Sequence, residues 1–314
     1  MNNKRLLNHI PNKTAIRGFS ILEFLVASLL SMIVLMAVSS TYFTARGLNK
    51  SANARIGIQQ DLRNAANMIV RDARMAGNFG CFNMANFPAS AVIEDKSSNE
   101  YTLKTAGVNK LLPVKEINKL SYTGFAQTGK ALLFQYGIDK ADSAAKTAIA
   151  SSCYGIAKPH TEIKDLAAAK SALKITNSDQ DGSIAIMKHE MIAYAVGKLG
   201  EESKESSLFR FQLSDDGSWS NPQLLIKGIT TMDIHYIYAE CPDSESASAS
   251  GANAETFKYS DQLDTSIEAK SPASIQIVLN NGSIDPSKEQ DNKVDIYNIN
   301  ATIRGGNVCA DRSL

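Results

Sequence analysis

A chain of 314 residues exceeds the usual single domain, and its formal charge of +1 gives no global argument for binding nucleic acid. A basic leader and an apolar helix take up about 75 residues, leaving enough chain to bury a substantial core without metal or cofactor. Cys81, Cys153, Cys241 and Cys309 form no C-x-x-C pair and stand near no histidine, which argues against a zinc or redox site.

Residues 1–18 are polar and basic, with Lys4, Arg5, Lys13 and Arg17 and no acid. The 25 residues from Phe19 to Phe43 carry one charge, Glu23. As a helix they span ~37 Å at ~1.5 Å per residue, against ~30 Å of hydrocarbon. The segment reads as a membrane anchor or as a secretory signal, the latter with Phe24–Val38 as its apolar region and a cut near Ser39–Ser40. Positive charge concentrated before the span places the N-terminus inside and the bulk outside. Glu23 needs its own explanation. A carboxylate in a span costs ~2.5–3.5 kcal/mol on insertion scales, and the helix dipole returns only ~0.3–1 kcal/mol. A cation must supply the rest, unless the side chain snorkels to the headgroups. Cleavage after Gly18 would create one, the α-amine of Phe19, on this chain or on a neighbour.

Gly18-Phe19-Ser20-Ile21-Leu22-Glu23, at the head of the one apolar span, resembles the type III signal of type IV pilins and type II secretion pseudopilins. The resemblance implies that a prepilin peptidase cuts after Gly18 and methylates the amine of Phe19. It also implies that Glu23 pairs with the amine of an adjacent subunit in a helical filament.

Past the span, Ile58, Leu62, Ala65, Ile69, Ala73 and Ala76 recur at three and four residues, the stripe of an amphipathic helix. One helix from Phe19 to about Ala76 is expected, ~85 Å long. Gly47 and Gly57 are its weak points, at ~1 kcal/mol each against alanine, and Gly77-Asn78 supplies a left-handed cap. Residues 19–43 would lie in lipid and 44–77 would pack on a globular head. Arg46, Lys50, Arg55, Arg63, Arg71 and Arg74 outnumber Asp61 and Asp72. No aromatic residues interleave with them to stack bases, and the cations suit anionic headgroups and a helix C-terminus.

The head, residues 78–314, changes to alternating patterning. Leu111–Ile117, Lys119–Phe125, Ala131–Tyr136, Ile184–Met187 and Met191–Val196 read as strands. So do Leu208–Leu213, Leu224–Ile229, Met232–Tyr238, Ile275–Leu279 and Tyr297–Ile303. Asp181-Gly182, Asp216-Gly217 and Asn281-Gly282 are turns, and Lys164–Leu173 a short helix. The fold class is α+β: a long N-terminal helix, membrane-spanning in its first half, packed against an antiparallel β-sheet head. The resemblance makes it type IV pilin-like. Residues 243–272, rich in Ser, Ala, Asp and Glu, read as a mobile surface loop. With the bulk in an oxidising compartment two disulfides are expected. Of three possible pairings the least entangled joins Cys81 to Cys153 and Cys241 to Cys309.

Chemistry is sparse. His9, His160, His189 and His235 show no ligand spacing and read as surface or strand-edge residues. There is no G-x-S-x-G elbow and no phosphate loop. Asn177–Ile184 opens like an EF-hand, but Lys188 stands where the bidentate glutamate belongs and a strand follows, so it reads as a polar turn. No enzymatic activity, cofactor or metal is expected.

Leu224-Leu225-Ile226-Lys227-Gly228-Ile229, running into Met232-Asp233-Ile234-His235-Tyr236, is similar to the late strand pair of PilW-type minor pilins. Thr302-Ile303-Arg304 is similar to their closing strand. That branch implies a subunit that helps initiate pilus assembly at the inner membrane, its head periplasmic, and that ends in or near the fibre tip. Its partners would be other minor pilins, the major pilin, the prepilin peptidase, the inner-membrane assembly platform and a tip adhesin, not nucleic acid. Pilins at the extreme tip often lack the glutamate, so Glu23 implies that something stacks above. A J-type minor pseudopilin of a type II secretion system is the nearest alternative. A membrane-tethered periplasmic enzyme or receptor is the alternative of another class.

Overall fold

The structure, a computed structural model, describes residue 18 and residues 20–97, 101–139, 146–177, 183–200, 203, 205–240, 256–282 and 296–304. The first element, α1 (Ile21–Met75), runs unbroken through Gly47 and Gly57. It stops at Gly77, whose φ of 79° is left-handed and where a Cβ would stand 2.9 Å from the Cβ of Pro113. Only glycine meets both demands without strain.

The chain divides into two compact units, Met1–Ile58 and Gln59–Leu314. In the first, every large apolar side chain from Ile21 to Phe43 is exposed, in a stretch long and apolar enough to cross a membrane. In the second, α1 buries Ala65, Ile69, Asp72 and Ala73. The apolar stripe therefore starts later than expected, for Ile58 is still 41% exposed.

After α1 come a small hairpin, β1 (Asn78–Phe79) and β2 (Phe82–Asn83), and then β3 (Val92–Asp95). β4 (Val114–Ile117), β5 (Phe125–Asp139), β6 (Ala148–Ser151) and β7 (Ile156–Lys158) precede α2 (Leu166–Ala172), whose N-terminus Asp165 caps. β8 (Ala185–Leu199), β9 (Ser207–Leu213) and β10 (Trp219–Lys227) follow. The last are β11 (Thr231–Glu240), β12 (Thr256–Ser260), β13 (Ser274–Asn280) and β14 (Ile296–Thr302).

β5 and β8 pair antiparallel along their length and form the spine of an eight-stranded sheet. The other edge of β8 forks: β6 takes its first residues, β9 its later ones. A four-stranded antiparallel sheet runs β12-β11-β13-β14. One core joins the α1 residues Ala65, Ile69 and Ala73 to Phe134, Ile192 and Val196 of the large sheet and to Ile234, Ile275 and Ile277 of the small one. A second core, with Leu133, Ala193, Phe211 and Trp219, lies on the opposite side of the large sheet, as alternation along β5, β8 and β9 requires.

Several expectations need correction. The strands expected over Ile184–Met187 and Met191–Val196 merge into one, β8, which begins at Ala185, and His189 and Glu190 between them are buried despite their polarity. His189 is therefore neither a surface nor an edge residue. Lys119–Phe125 is no strand before its last residue: the chain turns at Gly124, and Leu120 N–H bonds to the Gln127 side chain. Leu111–Ile117 is extended only from Val114, after Pro113. The loop expected over 243–272 contains β12, laid along the edge of β11, and the buried residues Leu263 and Ala269. Backbone pairing orders that edge where composition offers little apolar surface. β3 pairs with β7 in parallel, against the antiparallel expectation. Cys81 and Cys153 are bonded across 72 residues, one half of the expected pairing. Cys241, Cys309, Phe19, His9 and the Asp181-Gly182 turn lie outside the described residues.

Candidate functional site

At the head of α1, Ser20 and Glu23 form a reciprocal cap. Leu22 N–H donates to Ser20 Oγ (3.3 Å), and Ser20 N–H donates to Glu23 Oε2 (3.1 Å). This is the Ser-x-x-Glu capping box, which satisfies backbone donors that no helical turn can reach. It orients the Glu23 carboxylate along the helix end, where the dipole favours negative charge. Glu23 Oε1 accepts no hydrogen bond among the described residues and so stays open to an external cation. Gly18 is exposed, with no atom near enough to hinder a Cβ. Sequence reasoning read Glu23 as an acid seeking a cation and passed over Ser20, although serine three residues ahead of a glutamate is the signal for this cap.

The C-terminal half of α1 carries a second arrangement, which no motif announced. Asp72, fully buried, accepts from the Tyr136 hydroxyl at Oδ1 (3.1 Å) and from the Tyr194 hydroxyl at Oδ2 (2.6 Å). Arg210 Nε also donates to Oδ2 (3.1 Å), and Arg71 Nε stands 3.5 Å from Oδ1. Tyr136, Tyr194 and Arg210 come from β5, β8 and β9, so one carboxylate ties the helix to three adjacent strands. Burial and then the Asp72 charge push both tyrosines well above the phenol range, which keeps them neutral donors. Burial works against the Arg210 charge, but Asp72 and Tyr194 outweigh it and raise its affinity for the proton. Glu190, nearby on β8, accepts from Gln212 Nε2; burial raises its pKa, with Lys188 opposing.

A third network lies on the other side of β8. Lys158 Nζ, fully buried, donates to Tyr101 O (2.7 Å) and meets His189 Nδ1 at 3.0 Å. His189 Nε2 lies 3.1 Å from Gln135 Oε1, and Gln135 Nε2 donates to Leu112 O (2.7 Å). Burial, then Lys158 and Lys115, hold His189 well below the usual imidazole range. It is therefore neutral, with Nδ1 accepting from the lysine and Nε2–H donating to the amide. This chain of polar groups fixes the 101–112 segment to the sheet. Of the other histidines, His160 is exposed and His235 is paired with Asp261 (2.6 Å).

The expected site residues are divided between the two units. Gly18 and Glu23 belong to the first unit, and the Cys81–Cys153 bond belongs to the second. Among the described residues no group of three His, Cys, Asp or Glu side chains is placed to hold a metal ion. No model of a known protein family matches the chain, and no curated protein matches it.

Proposed function

We propose that the chain is a non-enzymatic subunit of a type IV pilin-like filament, a minor pilin that helps initiate pilus assembly and sits in or near the tip. The observation that carries this reading is the head of α1: a carboxylate held by Ser20, one oxygen open, at the start of an apolar rod with no cover of its own. So large an apolar surface must be covered by lipid or by the rods of neighbouring subunits. The Gly18 junction precedes it by the spacing the pilin signal requires. In this role lipid stores the subunit, cleavage at Gly18 creates the Phe19 amine, and Glu23 meets the amine of a neighbour during extraction. The buried Asp72 clamp supports the same reading, since a rod pulled from a membrane must carry its head with it.

N-terminal sequencing of the exported protein is expected to begin at Phe19. Glu23→Ala is expected to remain inserted and cleaved yet to be missing from sheared fibres. A mature start near Thr41, or normal incorporation of Glu23→Ala, would refute the proposal. A tethered enzyme or receptor would be indifferent to that substitution.

A further inference from the structure

A cleft of about 660 Å³ opens in the head beside β3 and β4, with Val92, Ile93, Leu112 and Leu263 among its apolar walls. Lys115 reaches into its lining, where Nζ donates to the carbonyl oxygens of Thr102 (2.5 Å) and Lys104 (3.0 Å). An ammonium has three donors. The third has no partner among the described residues, and neither carbonyl brings a countercharge. Thr105 Oγ1, on a residue of the same lining, is buried with no hydrogen-bond partner.

The acids of the cleft are already engaged. Asp95 accepts from Ser97 N–H at one oxygen and from Leu103 N–H at the other. Glu116 is closed off by Lys130 (2.5 Å) and by the Tyr236 hydroxyl (2.8 Å). Lys104 adds a second, exposed ammonium. Burial pushes Lys115 down to about 7, with Asp95 opposing and Lys158 adding to the effect. A cavity of this size with apolar walls, an orphaned hydroxyl and an ammonium with a donor to spare among the described residues has the make-up of a ligand site.

We propose that the cleft binds a carboxylate carried on a small apolar body, its oxygens accepting from Lys115 Nζ and Thr105 Oγ1. The body lies against Val92, Ile93 and Leu112. A free organic acid and the C-terminus of a peptide present the same group. This inference does not depend on the role of the N-terminal helix.

The test is isothermal titration of the full-length chain in detergent with benzoate, with a hydrophobic tripeptide acid and with the same tripeptide as its amide. Binding of benzoate or of the peptide acid is expected, lost in Lys115→Met and weakened about tenfold in Thr105→Val, as for one lost hydrogen bond to a charged group. Peptide acid binding while benzoate is silent assigns a chain terminus; benzoate binding while both peptides are silent assigns a free acid. Thr105→Val removes a hydroxyl that bonds to nothing, so it keeps the test open should Lys115→Met fail to fold. No heat from any probe, equal binding of amide and acid, or unchanged affinity in Thr105→Val overturns the proposal. Displacement of benzoate by equimolar inorganic phosphate overturns the apolar part of it.

Discussion

Replacing Asp72 by asparagine tests whether the helix is held to the sheet by charge or by apolar packing alone. The substitution keeps the shape and one acceptor oxygen but removes the charge that faces Arg210, whose side chain is only 11% exposed. Leaving one partner of a buried pair uncompensated costs ~3–5 kcal/mol. One tyrosine hydroxyl keeps its acceptor while the other faces an amide N–H, a further loss of ~1–3 kcal/mol that overlaps with the first. Arg71 is 68% exposed, so its loss is worth at most ~1 kcal/mol. The expected destabilisation is ~3–4 kcal/mol, a large part of the ~5–15 kcal/mol that holds a domain folded. Trp219 is the single tryptophan of the sequence and is buried on β10, so its fluorescence reports urea unfolding of the full-length chain in detergent. Arg210→Met completes a cycle, in which the double variant should lose less than the two single variants together by ~1.5 kcal/mol or more. A loss below ~0.5 kcal/mol in Asp72→Asn, or strict additivity, would show that the ionic clamp contributes nothing and that packing alone seats the helix.

Removing the bond between Cys81 and Cys153 by paired serine substitutions should cost ~4 kcal/mol if chain entropy dominates, because the loop is long; urea midpoints unchanged from the native chain would contradict this. Stability should also fall below pH 6.5 through His189. The unfolded imidazole takes up a proton there that the buried one refuses, at up to ~1.4 kcal/mol per pH unit until the folded group titrates. Lys158, lowered from 10.5 to about 8, acts in the same direction at the other end of the scale. Between those values the unfolded chain holds a proton the folded one has released, so stability rises with pH. A His189→Gln chain should lose the acid-side slope while keeping the alkaline one; identical acid limbs in the two proteins would exclude the histidine as its source.

What the sequence made legible was local. Glu23, the glycine at the end of α1 and the strand alternation in β11, β13 and β14 are each written within a few neighbouring residues, where turn geometry and period leave a readable trace. β3, β6 and β7 are too short to establish a period, and β12 is ordered by its neighbour rather than by its own composition. The Asp72 clamp was invisible for a different reason. Its hydrogen bonds cross 64, 122 and 138 residues, so no window contains them.

A trace of the clamp nevertheless exists. Asp72 stands three residues after Ile69 and four before Ala76, squarely on the buried stripe, while Tyr194 and Arg210 occupy inward positions of β8 and β9, beside the apolar Ile192, Val196 and Leu208. A polar residue on a face that must be buried implies a partner, because an unpaired charge there would be prohibitive. The exception also does what the stripe cannot. Ala65, Ile69, Ala73 and Ala76 are small or interchangeable enough that a helix slipped by one turn would still bury an apolar surface. Such a slip, ~5.4 Å along the axis, would take Asp72 beyond reach of all three partners at once. Apolar packing gives α1 its attraction to the sheet, and the buried Asp72 carboxylate gives it its register.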